Sequence, residues 1–146
     1  MAVLLDTNVV SELIRRSPDS RVRAWAADQP LEDLFFSAVG EAELRYGAAI
    51  LATGRRRATL IADIERMLRD AFATRILPFD SSAARAYALI AAGRRAAGRP
   101  VPPPDCQIAA IAHSRGMAVA TRNVRDFEGM DIRIVDPWAN ASPGRR

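Results

Sequence analysis

The sequence predicts an α/β protein, a three-layer α/β/α sandwich around a central, mainly parallel sheet. Three observations lead there. Short apolar runs alternate with helical segments along the 146 residues, an order that yields parallel strands with helices on both faces. No internal repeat or interdomain linker breaks the alternation, and the length suits one domain with a sizeable core. Polar residues also stand just behind the apolar runs, where open α/β sheets bind ligands: Asp6, Ser37, Asp80 and Thr121-Arg122-Asn123. The domain is set at residues 1–138, with a disordered tail expected over 139–146.

The elements follow in order. Val3 to Leu5 reads as a buried strand. Thr7 to Ile14 reads as a helix capped by Asp6 or Thr7, with Val10, Leu13 and Ile14 on one face. Pro18 opens a second helical stretch with Val22, Trp25 and Ala26 in a stripe, ending near Pro30. Leu34 to Phe36 is the second strand, and Ser37 caps a helix from Ala38 to Leu51. Gly54 breaks the chain before a helix from about Arg56 to Phe72 that turns Leu60, Ile61, Ile64 and Leu68 to the core. Arg75 to Phe79 is the third strand. Ser81 or Ser82 caps a helix bearing Ala86, Leu89, Ile90 and Ala97, and Gly98 and Pro100 end it. Pro100 to Pro104 reads as a stiff loop of polyproline character. A helix from Asp105 to Ser114 follows, ended by Gly116. Ala118 to Ala120 is the fourth strand and Ile132 to Val135 the fifth.

Composition narrows the function. Apolar residues make up 49% and charged residues 26%, as in a globular domain. No stretch approaches the roughly 20 apolar residues of a membrane span, and Met1 to Asp6 lacks the n-region and h-region of a signal peptide. One cysteine, Cys106, can form no internal disulfide, so a cytoplasmic location is expected. All 21 basic residues are arginine and the net charge is +4, which favours polyanions as partners. A P-loop, a dinucleotide fingerprint and zinc spacing are all missing. The single histidine, His113, stands off the apolar stripe of its helix, so a serine or cysteine triad has no base to use.

Carboxylates are what is left. Asp6 ends a strand and could simply cap a helix. Steps of about 100° per residue place Val39, Ala42, Tyr46 and Ile50 on one stripe, with Glu43 inside it and Glu41 on the opposite face. A carboxylate on a buried face needs a partner, either a metal ion or an arginine. Asp105 opens a helix and shares a face with Ile108 and Ala112. Asp126 stands in the loop after the fourth strand. Acidic groups gathered at one rim of a sheet repel, and a hard divalent cation neutralises them. Such a cation activates water and steadies charge on a phosphodiester. The residues therefore point to metal-dependent phosphoryl chemistry, and the basic surface points to nucleic acid.

The motifs carry a resemblance as well. Asp6-Thr7-Asn8-Val9-Val10-Ser11-Glu12 resembles the opening of PIN-domain nucleases, above all the VapC/FitB-like toxins. Ser37 with Glu43-Leu44-Arg45-Tyr46-Gly47, then Asp105 to Ala110, then Thr121 to Phe127 are similar to that family's later motifs, and Val135 to Trp138 to its ending. The resemblance implies a PIN fold and endonucleolytic RNA cleavage with Mg²⁺ or Mn²⁺. It implies an acidic site of Asp6, Glu43, Asp105 and Asp126, with Asp6 and Asp105 as direct metal ligands and Asn8 and Thr121 as polar support. It further implies a homodimer bound by a small antitoxin, with DNA contacted only through that antitoxin. Arg94, Arg95 and Arg99 are candidates to line a basic groove for RNA. Cys106 and the Pro102-Pro103-Pro104 run depart from the family pattern, and the prolines would stiffen the approach to Asp105.

Three other readings compete. A haloacid-dehalogenase-like phosphatase would need a second aspartate where Asn8 stands, and a phosphoacceptor receiver would need a lysine that this chain lacks. A non-catalytic nucleic-acid- or protein-binding module is compatible with the fold alone.

Overall fold

A computed structural model describes residues 1–139. The strands are β1 (Val3–Leu5), β2 (Leu34–Ser37), β3 (Ile76–Leu77), β4 (Ala118–Ala120) and β5 (Ile134–Val135). They form one parallel sheet in the order β3-β2-β1-β4-β5. The helices are α1 (Thr7–Ile14), α2 (Ser20–Ala27), α3 (Ala38–Ala49), α4 (Arg55–Met67), α5 (Ser81–Ala96), α6 (Pro103–Ser114) and α7 (Val124–Phe127). The strand order reverses between β1 and β4: the chain runs outward from β1 through β2 to β3, then crosses to the other side. A crevice opens at such a switch point, beyond the carboxyl ends of the strands. Both strands end there in polar residues, Asp6 and Thr121.

The two-residue period of the strands builds the layers. Val3, Leu5, Leu34, Phe36, Ala118 and Ala120 face a core shared with Val9, Leu44, Ile64 and Phe72 of the first half of the chain. Leu4, Leu77 and Val119 face a second core with Ala83, Ile108, Ile111 and Phe127. The expected three layers and parallel sheet are therefore present. The tail expected over 139–146 falls, from residue 140 on, outside the described residues.

Local signals place most boundaries. Asp6 caps α1 by accepting from the Thr7 N–H, and Ser37 caps α3 by accepting from the Gly40 N–H at 2.9 Å. Asp80, rather than Ser81 or Ser82, caps α5 through the Ala83 N–H at 3.0 Å, because a carboxylate in extended conformation one residue earlier reaches the first turn. Pro103 and Pro104 already form the first turn of α6, where an N–H is not needed, so the stiff approach to Asp105 is shorter than expected. The strands β3 and β5 are shorter as well. A 3-10 turn (Leu31–Asp33) and α7 had no clear periodicity to announce them, and the helix expected to run to Phe72 closes after α4 in a π-helical turn (Leu68–Phe72).

The face of α3 differs from the one its periodicity predicted. Its buried stripe is Gly40, Leu44 and Ala48, whereas Tyr46 is 67% and Ile50 64% exposed. Small residues decide this. A Cβ on Gly40 would lie 2.5 Å from Phe36 Cε1 and 2.7 Å from Cζ, so glycine is what lets α3 settle on the Phe36 ring. Leu89 (78% exposed) and Ile61 likewise point away from the cores that their stripes predicted for them. Gly40→Ala is therefore expected to destabilise the protein by about 1–3 kcal/mol, because Phe36 is buried and packs on Phe72 at 5.5 Å between ring centroids. Urea unfolding should show a lower midpoint with an unchanged slope, and an unshifted midpoint would contradict this packing.

Candidate active site

Asp6 is the anchor of the site. Its backbone N–H donates to the Ala120 carbonyl at 2.8 Å, which carries the β1–β4 pairing just past the last residue of β1. Its carboxylate, 3% exposed as a residue, accepts three hydrogen bonds: from the Thr7 N–H at 2.8 Å, Asn8 Nδ2 at 3.2 Å and Thr121 Oγ1 at 2.7 Å. Thr121 Oγ1 in turn accepts from the Asn123 N–H at 2.9 Å, and Asn8 Oδ1 accepts from the Arg122 N–H at 3.3 Å. One hydroxyl thus links Asp6 to the turn that leads into α7 and Asp126. Phe127, fully buried, pins α7 to the second core.

Glu43 enters from α3 along the edge of the buried stripe, where Thr7 Oγ1 donates to its Oε1 at 2.5 Å. Its partner is thus a hydroxyl and not an arginine. Asp105 sits in the first turn of α6 and accepts no hydrogen bond from the described residues. Among the described residues no arginine pairs with Asp6, Glu43, Asp105 or Asp126. Burial and then the charges of Asp6, Asp126 and Glu43 push Asp105 up to about 6. Burial also raises Asp6; the Thr121 and Thr7 hydrogen bonds oppose this, and the charges of Glu43 and Asp126 add to it. Glu43 and Asp126 thus bear on both Asp6 and Asp105, and Asp6 bears on Asp105.

Oxygen donors of this kind are what a hard cation takes, here in ones and twos rather than as a preformed cage. All four side chains offer oxygens, two of the acids resist ionisation, and no described arginine pairs with them. Among the described residues no group of three or more His, Cys, Asp or Glu could hold a metal ion. A Mg²⁺-like ion held by one or two carboxylates and completed by waters is compatible with such a set.

The remaining predicted residues divide. Arg95 and Arg99 are exposed, and Arg99 lies 3.8 Å from Glu128. Arg94 does not line a groove: it is 7% exposed and its guanidinium is bound to main-chain carbonyls. Cys106 is a buried free thiol. His113 faces Asp131 at 3.5 Å, apart from the acids. Two supporting residues escape a reading of the sequence. Thr7 holds Glu43, and its only signal is a hydroxyl directly after Asp6. Glu12 is buried and accepts from the Asp19 N–H at 2.8 Å and from Arg15 Nη1 at 3.3 Å, joining α1 to the start of α2. Arg122 lies 5.2 Å over the buried Trp138 ring. A groove of about 280 Å³ runs from Thr7 and Glu43 between α1, α3 and α4, past Leu44, Leu60 and Arg56.

Comparison with known proteins agrees with this fold. The PIN domain model matches residues 3–132. VapC ribonuclease Y4jK of Sinorhizobium fredii is 41% identical over 139 residues, covering 95% of this chain and 99% of that protein. Toxin FitB of Neisseria gonorrhoeae is 40% identical over 136 residues, covering 93% and 98%. The crystal structure of DNA-bound VapBC from Salmonella typhimurium superposes with a TM-score of 0.80 at 30% identity, covering 94% and 98%.

Proposed function

The chain belongs to the PIN-domain family, and we propose that it is a metal-dependent endoribonuclease, the toxin of a toxin–antitoxin pair. One observation supports the reading: Asp6, buried just past β1 at the switch point, and Asp105 in the first turn of α6 both bear the charges of Glu43 and Asp126, and among the described residues no arginine pairs with any of the four. The names of its relatives, a ribonuclease and a toxin, support the reaction and the role.

Asp6 and Asp105 would hold Mg²⁺ or Mn²⁺, Asp6 kept rigid by its three donors and Asp105 offering oxygens that no described residue occupies. When bound, such an ion eases the formation of a nucleophile from water and offsets charge growing on the phosphodiester. The protein supplies the rest. Thr7 occupies one oxygen of Glu43 and leaves the other free. Asp126 is placed by the Thr121–Asn123 turn. With His113 elsewhere, a carboxylate takes up the proton. Asn8 donates its amide to Asp6 where a phosphatase of the dehalogenase type would need a second carboxylate, and that alternative loses its chemistry.

The partners belong to the same proposal. RNA is the substrate, with exposed arginines such as Arg95 and Arg99 near its path and the cytoplasm as the place of action. The groove beside Thr7 and Glu43 suits an apolar segment of a small antitoxin that would cover the acids. The chain works as a homodimer and meets DNA only through the antitoxin, in keeping with the DNA-bound VapBC complex.

Antitoxin-free protein should cleave RNA in Mg²⁺ or Mn²⁺, stop on addition of EDTA and resume with excess metal, as followed on denaturing gels. Undiminished cleavage in EDTA would refute the proposal.

A further inference from the structure

We propose that Arg94 is a positioning residue for the acidic site, tying the segment that enters Asp105 to the segment that leaves Asp126 and so setting the spacing of those two carboxylates. The inference rests on the metal-dependent reading above and adds a residue that the site's own chemistry does not touch.

Arg94 lies in the last turn of α5, buried, with no carboxylate partner among the described residues. Its Nε donates to the Arg99 carbonyl at 2.9 Å, and its Nη1 donates to the Glu128 carbonyl. Arg99 begins the extended stretch that delivers Pro103 and Asp105 into α6. Glu128 is the residue at which α7 ends, two after Asp126. The main chain of Arg94 holds the same turn, since its carbonyl accepts from the Arg99 N–H at 2.9 Å next to Gly98, whose φ is 74°. The guanidinium also packs against Gly129, where an added Cβ would stand 3.9 Å from Nη1.

The chemistry explains why an arginine stands here. A buried guanidinium is costly unless its N–H groups find acceptors. Packing between α5 and α6 includes Ala83, Ala109 and Ala112, small side chains that fill space but interlock little. A planar fork bonded to two carbonyls from distant parts of the chain supplies the register those alanines leave loose. Lysine, a single point donor, cannot make both bonds in the same geometry.

The test uses antitoxin-free protein and three variants: Arg94→Met, Arg94→Lys and, as a stability control in the opposite core, Ile64→Ala. Calorimetric titration with Mn²⁺, steady-state RNA cleavage and hydrogen exchange are measured well below each melting temperature. Removing a support of this kind should weaken Mn²⁺ binding and kcat each by about 10-fold or more, with the KM for RNA within about 3-fold. Arg94→Lys should fall between Arg94→Met and the parent. Exchange should quicken together over 103–106 and 124–129, while Ile64→Ala keeps the parent's Mn²⁺ affinity despite its lower melting temperature. If Arg94→Met does not fold, Arg94→Lys carries the same criteria. Parental Mn²⁺ affinity and kcat in a folded Arg94 variant would overturn the proposal, as would an equal loss in Ile64→Ala. If the parent protein itself neither binds Mn²⁺ nor cleaves RNA, the nuclease reading fails. Exchange then decides the clamp alone, and unchanged exchange in both segments overturns it.

Discussion

Asp105→Asn is expected to lower metal-dependent RNA cleavage by about three orders of magnitude or more while making the metal-free protein harder to melt above about pH 6. Both effects have one cause. Asp105 accepts no hydrogen bond among the described residues, so the amide loses no bond seen for the carboxylate, and charge is what is removed. Burial and three neighbouring carboxylates hold Asp105 at about 6, against an ordinary value of 3.8. Because the folded value is the higher one, the folded protein binds the extra proton. The destabilisation is absent below the unfolded value, sets in as pH rises between the two and is complete above the folded one. The melting temperature of Asp105→Asn should therefore exceed that of the parent above about pH 6, and the gap should close toward pH 3.8. Added Mg²⁺ should raise the parent's melting temperature and leave the variant's nearly unchanged, since a ligand stabilises only the state it binds. Asp6→Asn should lose as much activity without the gain in stability. Three donors converge on Asp6, and an amide nitrogen would face at least one of them. A variant at Asp105 that keeps full activity, or melts lower than the parent at neutral pH without metal, would contradict this account.

The second large effect separates two glutamates of one helix. Glu43→Gln is expected to reduce cleavage by about 100-fold or more with little change in fold, because the glutamine oxygen can still accept from Thr7. Glu41→Gln is expected to leave kcat and KM unchanged. Glu41 is half-buried and pairs with Arg45 at 2.7 Å, and Arg45 also reaches Glu65 of α4 at 2.7 Å. Losing one arm of an exposed network costs at most about 1 kcal/mol. Parallel assays of the two variants for cleavage and urea midpoint check the assignment. An inactive Glu41→Gln beside an active Glu43→Gln would place the wrong face of α3 at the site.

Much of the fold and of the site is legible in the amino-acid sequence alone, and the reasons are local. A run such as Val3 to Leu5 followed by Asp6 announces a strand, its end and a helix cap within a few residues. Parallel strands separated by helices then bring Asp6, Glu43, Asp105 and Asp126 to one rim, so acids far apart in sequence can be grouped from the order of elements. The resemblance to PIN-domain nucleases rests on these same residues.

What only the tertiary structure decided concerns side chains whose surroundings come from distant segments. Periodicity assigns α3 a stripe of Val39, Tyr46 and Ile50. Gly40, Leu44 and Ala48 are buried instead, because close approach to Phe36 outweighs the hydrophobicity of the larger residues. Glu43 reaches the site from the margin of that stripe rather than from within it. Arg94 reads as a surface charge because arginines usually are, and nothing near it in sequence reveals that the Glu128 carbonyl arrives to satisfy it. Thr7 as the partner of Glu43 is hidden for the same reason. Helix periods and caps are set by neighbours along the chain, whereas burial of a polar group depends on which partner the fold brings from elsewhere.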